Sequence, residues 1–313
     1  MRDITKSIIS TCAGLAVIGI GMFVAGIFLG GHRGLKLDYR NRRAIVSTDE
    51  IIKEVKPLES FTEADIDIDS CDFEIIEGDE YKLEYAVNKE GVFQADVTGG
   101  KLKLDYKEKE NEGAFILNVL NLGAVDEQKY IKLYVPSGTS IKKADIKLDS
   151  GDINIEGIDI ADLNLKDEFG SVILIDMDSE KLVIEADSGS IRGEKIAADT
   201  VELTDKFGSI KLDDFTSKQV KMKVESGSVK VDNGKIENAD IESEFGSVEL
   251  SLDGTESDYS YNLSTEFGSI RVGGKNVGEN ETDDDDIEKY TKEGGSKKIS
   301  AKTESGSIKI DFE

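Results

Sequence analysis

Glycine preceded by Ser or Phe stands at Gly151, Gly170, Gly189, Gly208, Gly227 and Gly246, with a constant step of nineteen in the numbering, and again at Gly268 and Gly306. A fixed period of about 20 residues marks a stacked repeat, in which each unit buries its apolar face against its neighbours. With the glycine as slot one, slots three and five are apolar: Ile153 and Ile155, Val172 and Leu174, Ile210 and Leu212, Val229 and Val231, Val248 and Leu250. Slots thirteen and fifteen repeat the pattern with Leu163 and Leu165, Leu182 and Ile184, Val201 and Leu203, Val220 and Met222. Spacing of two belongs to strands with one buried face, and no i, i+3, i+4 pattern persists. The expected fold is all-β: a single-stack parallel β-solenoid (β-helix-like) of 19-residue coils, each with at least two short strands. Right-handed winding is the default for parallel crossovers.

Two longer steps break the period, one of 22 up to Gly268 and one of 38 up to Gly306. The first fits an extension of the turn around Asp253–Asp258. The second fits one coil carrying a 19-residue acidic loop, inserted at 273–298. The last strand, Ser307–Asp311, stops just short of Glu313, and no capping segment follows it. An uncapped solenoid end exposes strand edges, so this C-terminal coil is expected either to dock onto a protein partner or a second copy, or to be guarded by Lys309, Asp311 and Glu313.

The slot before each glycine alternates: Ser150, Phe169, Ser188, Phe207, Ser226 and Phe245, then Phe267 and Ser305. Coils stack about 4.8 Å apart, so a Phe in every layer would be crowded. Alternation is expected to fill the core, large over small; a ligand-binding aromatic ladder is the other reading. Ser171, Ser190, Ser209, Ser228, Ser247, Ser269 and Ser307 follow the glycines in register. They read as a hydroxyl ladder capping turn backbone groups, and no general base accompanies any of them.

Residues 64–75 and 144–155 share Ala, Asp, Ile, Asp, Ser, Asp and Ile in register, with Cys71 in the glycine slot. The repeat therefore starts near Ala64. Strand-like runs at Tyr81–Tyr85, Leu102–Tyr106 and Tyr130–Val135 make residues 58–143 a β-rich N-terminal cap merging into the first coils, ahead of a regular solenoid over 144–313.

Ahead of the cap, residues 8–30 contain no charge. That stretch exceeds the roughly 20 residues that a helix needs to cross a bilayer. A retained single-pass anchor fits better than a cleaved signal peptide, because the stretch is long and no A-x-A site follows. Residues 1–7 form a short flank, and 31–57 a polar juxtamembrane linker with a helix expected around Thr48–Val55. Arg33, Lys36, Arg40, Arg42 and Arg43 follow the apolar run, which by the positive-inside rule favours a cytoplasmic body; long domains are nonetheless translocated past such charges.

The chain has 313 residues, 39 Lys+Arg and 65 Asp+Glu, a formal charge of −26. Such a charge repels phosphate backbones and argues against nucleic-acid partners. One histidine, His32, leaves no multi-His metal site and argues against a His-dependent triad. Two cysteines build no disulfide framework. Two positions before the glycines stands a mostly acidic row: Asp149, Glu168, Asp187, Glu225, Glu244, Glu266 and Glu304, interrupted by Lys206. A basic stripe in slot four (Arg192, Lys211, Lys230, Arg271, Lys309) is expected to pair with it. The run Asp283, Asp284, Asp285 and Asp286, preceded by Glu279 and Glu281, is the local candidate for a cation such as Ca2+. It lacks the alternating spacing of an EF-hand loop and reads first as a solvated loop. No catalytic or cofactor-binding residue is nominated.

The run YIKLYVPSGTSIKKADIKLDSGDINI (Tyr130–Ile155), followed by repeated S-G-S-[IV] and F-G-S-[IV] strands, resembles the bacterial "putative adhesin" β-strand-repeat family, which includes the LiaG-like cell-envelope proteins of Gram-positive bacteria. The resemblance covers roughly residues 58–313. It implies a membrane-anchored β-solenoid placed outside the cytoplasmic membrane and linked to envelope stress, and it brings no catalytic residues. The expected function is a membrane-bound interaction or structural module of the cell envelope. The alternatives are a polysaccharide-active β-helix enzyme, which would need unlike residues breaking the repeat on one face, and a polymerising scaffold on the cytoplasmic side of the membrane, resembling bactofilins.

Overall fold

The computed structural model describes residues 51–108, 128–280 and 287–313, the strands Gly34–Asp38, Arg43–Ser47 and Ile116–Asn118, and the helical positions Gly19 and Met22. The expected membrane span at 8–30 lies outside the described residues apart from those two positions. Among the described residues no helix is long and apolar enough to cross a membrane. The three isolated strands form an antiparallel sheet in the order Arg43–Ser47, Gly34–Asp38, Ile116–Asn118. They belong to a unit of residues 1–50 and 109–127, and everything below concerns the other unit, residues 51–108 and 128–313.

That unit is all-β, with 22 strands in one hydrogen-bonded network. Its middle consists of four long strands, Val172–Ser188, Ile191–Phe207, Ile210–Ser226 and Val229–Phe245, each paired in parallel with the next at an offset of one full repeat. The ladder between the first two skips Asp176, Glu180 and Asp187. A coil is thus three straight segments with corners at slots seven, eleven and eighteen. The corner at slot seven is not legible in the sequence. Gly157, Asp176, Lys195, Asp214 and Asn233 occupy it, all left-handed with φ of 70°, 53°, 55°, 51° and 53°. Asp and Asn tolerate that region better than most residues, and glycine adopts it freely.

The slots expected to point inward do so. Ile153, Ile155, Val172, Leu174, Leu182, Ile184, Val201 and Leu203 are all buried in a single apolar core. Beyond the slot-seven corner, Ile158, Met177, Ile196 and Phe215 add a further inward row.

The glycine slot has a steric cause. A Cβ on Gly189 would lie 1.5 Å from the Gly170 carbonyl oxygen, and one on Gly208 would lie 1.5 Å from the Gly189 oxygen. The same contact recurs up the stack, so each layer's glycine carbonyl fills the space a side chain would need in the next. Cys71 occupies the slot only in a layer near the N-terminal end, where the outer neighbour supplies its carbonyl from Lys129, to the amide of Asp72.

At both ends the order in space departs from the order in sequence. Along one wall, Lys101–Lys107 is followed by Glu63–Ser70, then Ser140–Ser150 and Asp159–Phe169. The layer starting at Glu63 is therefore held between two later segments. At the other end, Val229–Phe245 pairs with Lys297–Ser305, which in turn pairs with Tyr259–Phe267. On the adjoining wall Ile308 bonds in register to both Val248 and Ile270. The C-terminal coil is the penultimate layer, and the expected free edge on it does not exist. The two breaks in period follow from this swap. The segment between Leu252 and Tyr259 must climb past one extra layer, and its additional length contributes to the 3-10 turn Glu256–Asp258.

Antiparallel strands close both ends. Val92–Thr98 lies on Lys101–Lys107, Lys82–Asn88 on Tyr130–Pro136, and Ile51–Pro57 on Lys82–Asn88. The helix expected at Thr48–Val55 is thus replaced, from Ile51 onward, by a cap strand. At the far end Glu288–Lys292 lies antiparallel on Tyr259–Phe267, and Lys275–Asn276 folds back on Ile270–Val272. The insertion at 273–298, expected as a loop, carries the C-terminal cap.

Candidate functional site

Slot zero departs most from expectation. Phe169, Phe207, Phe245 and Phe267 are 61%, 62%, 60% and 62% exposed. They do not fill the core. The reason is the glycine corner. Residues alternate in and out through slot seventeen, and the chain then turns at slot eighteen, so slot zero points outward instead of completing the alternation. What fills the inside at this corner is slot seventeen: Leu148, Asp167, Ala186, Asp205, Val224, Ser243, Thr303 and Thr265, all buried.

Cross-strand register places Phe169 beside Ser188, Ser188 beside Phe207, Phe207 beside Ser226, and Ser226 beside Phe245. Phe245 then neighbours Ser305, and Ser305 neighbours Phe267. In sequence the alternation fails at Phe245–Phe267; in space the inserted C-terminal coil restores it. The result is a straight stripe of four phenylalanines on alternate layers, about 9.6 Å apart at two strand spacings, with a serine in every gap. Isolated exposed apolar residues need no explanation, but a register-locked row of large ones is a feature that the core does not require.

The serines of slot two form the expected hydroxyl ladder beside the stripe. Ser209 Oγ accepts the Ser228 N–H at 3.1 Å, Ser228 Oγ the Ser247 N–H at 3.2 Å, and Ser247 Oγ the Ser307 N–H at 3.2 Å. Ser307 Oγ accepts the Ser269 N–H at 3.2 Å, so the ladder follows the spatial order. Asp152 takes the same role for Ser171, and Asp72 for Asp152. These oxygens are committed to turn amides, which a nucleophilic serine would not be.

The acidic row flanks the stripe on its other side, but its partners are not those expected. Lys206 bonds Asp187 at 2.7 Å and Lys147 bonds Asp149 at 2.7 Å, both on the row's own wall. The slot-four lysines Lys230 and Lys309 bond Asp232 and Asp311, each on its own strand. Hydrogen bonding to these carboxylates raises the pKa of Lys206, Lys147, Lys230 and Lys309, which remain cationic. Asp283–Asp286 lie outside the described residues. Among the described residues no group of three or more His, Cys, Asp or Glu could hold a metal ion. Cys71 is a free, buried thiol whose pKa burial pushes up to about 12.

A sequence model of the family described as Toastrack DUF4097 matches residues 61–311. No protein with a curated description matches the chain. Among solved structures, a putative adhesin from Bacteroides fragilis is 14% identical, with 84% of this chain and 98% of that one covered at a TM-score of 0.43. A putative cell adhesion protein from Clostridium sporogenes is 12% identical over 84% of this chain and 100% of that one, at 0.27. A putative lipid binding protein from Parabacteroides distasonis is 15% identical over 85% and 98%, at 0.38.

Proposed function

Since the chain belongs to the Toastrack DUF4097 family through residues 61–311, we propose that it is a non-catalytic interaction module of the bacterial cell envelope, held at the membrane by residues 8–30 and meeting its partner through the phenylalanine stripe. The observation that carries this reading is the exposure of Phe169, Phe207, Phe245 and Phe267 in register on alternate layers. The β stack holds the backbone that carries these rings in a fixed line, so binding an extended partner needs no backbone ordering on this side.

The test exploits the repeat itself. Alternate layers already carry serine in slot zero, so replacing all four phenylalanines by serine leaves the layers compatible. Cells displaying the full chain are compared with cells displaying the quadruple variant for attachment to one another and to isolated envelope material. Loss of attachment with unchanged thermal unfolding supports the proposal, and equal attachment by both sinks it. Orientation is checked separately by introducing a cysteine at Asp285 and labelling intact cells. Labelling only after permeabilisation would place the body on the cytoplasmic side and overturn the outward arrangement.

A further inference from the structure

Slot seventeen, beneath the glycine corner, is occupied by hydroxyl donors in three successive layers at the C-terminal end. Ser243 Oγ donates to Gly227 O at 3.2 Å, Thr303 Oγ1 to Gly246 O at 2.9 Å, and Thr265 Oγ1 to Gly306 O at 2.7 Å. Each hydroxyl thus reaches the glycine carbonyl of the preceding layer, the same oxygen that forbids a Cβ at the next glycine; Ser243 Oγ also lies 3.2 Å from Gly246 O of its own corner. Two layers nearer the middle have a carboxyl group in this slot. Asp167 and Asp205 are fully buried, and both oxygens of each lack a hydrogen-bond partner among the described residues. The corresponding acceptors are Gly151 O and Gly189 O. At Gly208, a Cβ would meet Gly189 O at 1.5 Å and an Asp205 carboxyl oxygen at 2.6 Å; at Gly170, it would meet Gly151 O at 1.8 Å and an Asp167 oxygen at 3.3 Å. An ionised carboxylate only accepts, and so does the carbonyl it lies beside. Protonated, the carboxyl gains the O–H that serine and threonine supply elsewhere in the column.

We propose that Asp167 and Asp205 are carried in the folded protein as neutral carboxylic acids, each donating its O–H toward the glycine carbonyl of the preceding layer, and that their ionisation is a pH-sensitive weak point built into the middle of the solenoid. The surroundings favour the neutral form. The inward neighbours in the same column are Leu148, Ala186 and Val224, and the facing segments contribute Val172, Ile191, Ile210, Met177, Ile196 and Phe215, none of them charged. Burial pushes Asp167 up to about 7, assisted by the negative charges of Asp152, Glu168 and Asp187. Burial pushes Asp205 up to about 6, opposed by the Phe207 backbone N–H, which forms no hydrogen bond of ordinary geometry with it. The charged groups outside Asp205 are Asp187, bonded to Lys206 on the surface, and Glu225.

An unfolded aspartate titrates near about 3.9. Between that value and the folded one, the native state binds more protons than the unfolded state, so stability is fully present below about pH 4 and is lost as pH rises toward 6 to 7. Each acid can lower the folding equilibrium constant by up to about tenfold per pH unit in this window.

The full-length protein and its Asp167→Asn, Asp205→Asn double variant are unfolded in urea at a series of pH values from 4 to 8. Asn keeps the shape and supplies a donor that does not titrate. The native protein should lose stability across this range by at least about a hundredfold more, in its folding constant, than the variant. Parallel curves overturn the proposal. Infrared spectra of the native protein provide a readout that needs no variant to fold. A protonated-carboxyl C=O band whose loss has its midpoint between about pH 6 and 7, above the range in which exposed carboxyls titrate, is expected. Loss of the band within that lower range also overturns the proposal.

Discussion

The middle of the stack and its two ends solve different problems with the same coil. Between Asp159 and Phe245, sequence order is spatial order, every layer is offset by one full repeat, and, Phe215 apart, the large apolar side chains of the core are aliphatic or Met. At the ends a layer is placed out of order, antiparallel strands lie across the last edge, and aromatic side chains take over. Tyr106, Tyr259, Tyr261, Phe61 and Phe73 are among the largest fully buried residues. Tyr85 stacks on Phe93 at 4.0 Å between ring centroids, and Tyr259 packs on Phe312 at 5.8 Å. A parallel stack has no intrinsic stopping point, since each edge is a template for another layer. Holding the Glu63 layer between two later segments and the Lys297 layer between two earlier ones lets the outermost position go to a segment that an antiparallel strand can cover. Termination is thus achieved by changing the order of the chain rather than by appending a cap after the last repeat.

The comparison can be broken most severely at the connection that skips a layer. Deleting Thr255, Glu256 and Ser257 restores the regular step between Gly246 and the next glycine. Tyr259–Phe267 should then stack directly on Val229–Phe245, with the C-terminal coil losing its place. Hydrogen exchange over Lys297–Phe312 is expected to rise to that of unprotected chain, while protection that stays native would show that the skip does not depend on those residues. Next in size is the glycine column. Gly208→Ala in the middle forces a backbone collision and should cost about 4 kcal/mol or more, whereas Cys71→Ala in the same slot near the end should cost about 1 kcal/mol, both read by urea unfolding. Phe215→Ala should cost about 3–5 kcal/mol, because the ring is 1% exposed and leaves a cavity. Phe207→Ser, earlier on the same turn of chain but pointing outward, should stay within about 0.5 kcal/mol. A large loss for Phe207 would mean that the stripe supports the fold. Finally, the buried Cys71 thiol should be alkylated about a thousandfold more slowly at pH 8 in the native protein than in urea, followed on the Cys71 peptide. Equal rates would show that this end opens freely.

Much of this architecture is legible in the chain. The period, the strand character, the inward slots, the serine ladder and the start of the repeat at Ala64 all follow from spacing, because strand alternation and stacking register are one-dimensional properties that a sequence records directly. The exposed phenylalanines escape that reading for a specific reason. Alternation assigns in and out only while a strand runs straight, and the turn at slot eighteen reverses the next side chain. The partners of the acidic row differ from expectation because surface lysines on the same wall reach it before those across the corner. Asp167 and Asp205 are hidden among 65 acidic residues; a charge in a column whose other members are uncharged is the signal that could have found them.

The amino-acid sequence by itself determined the unit, a 19-residue β coil with a glycine in a fixed slot, while the carbonyl contact that bars a side chain there exists only once the layers are stacked. Only the tertiary structure decided the order of those units. Coils that share a slot pattern are interchangeable neighbours by local rules, so the choice between them rests on which edges would otherwise be left unpaired. That same choice brought Ser305 between Phe245 and Phe267 and turned an imperfect sequence alternation into an unbroken stripe.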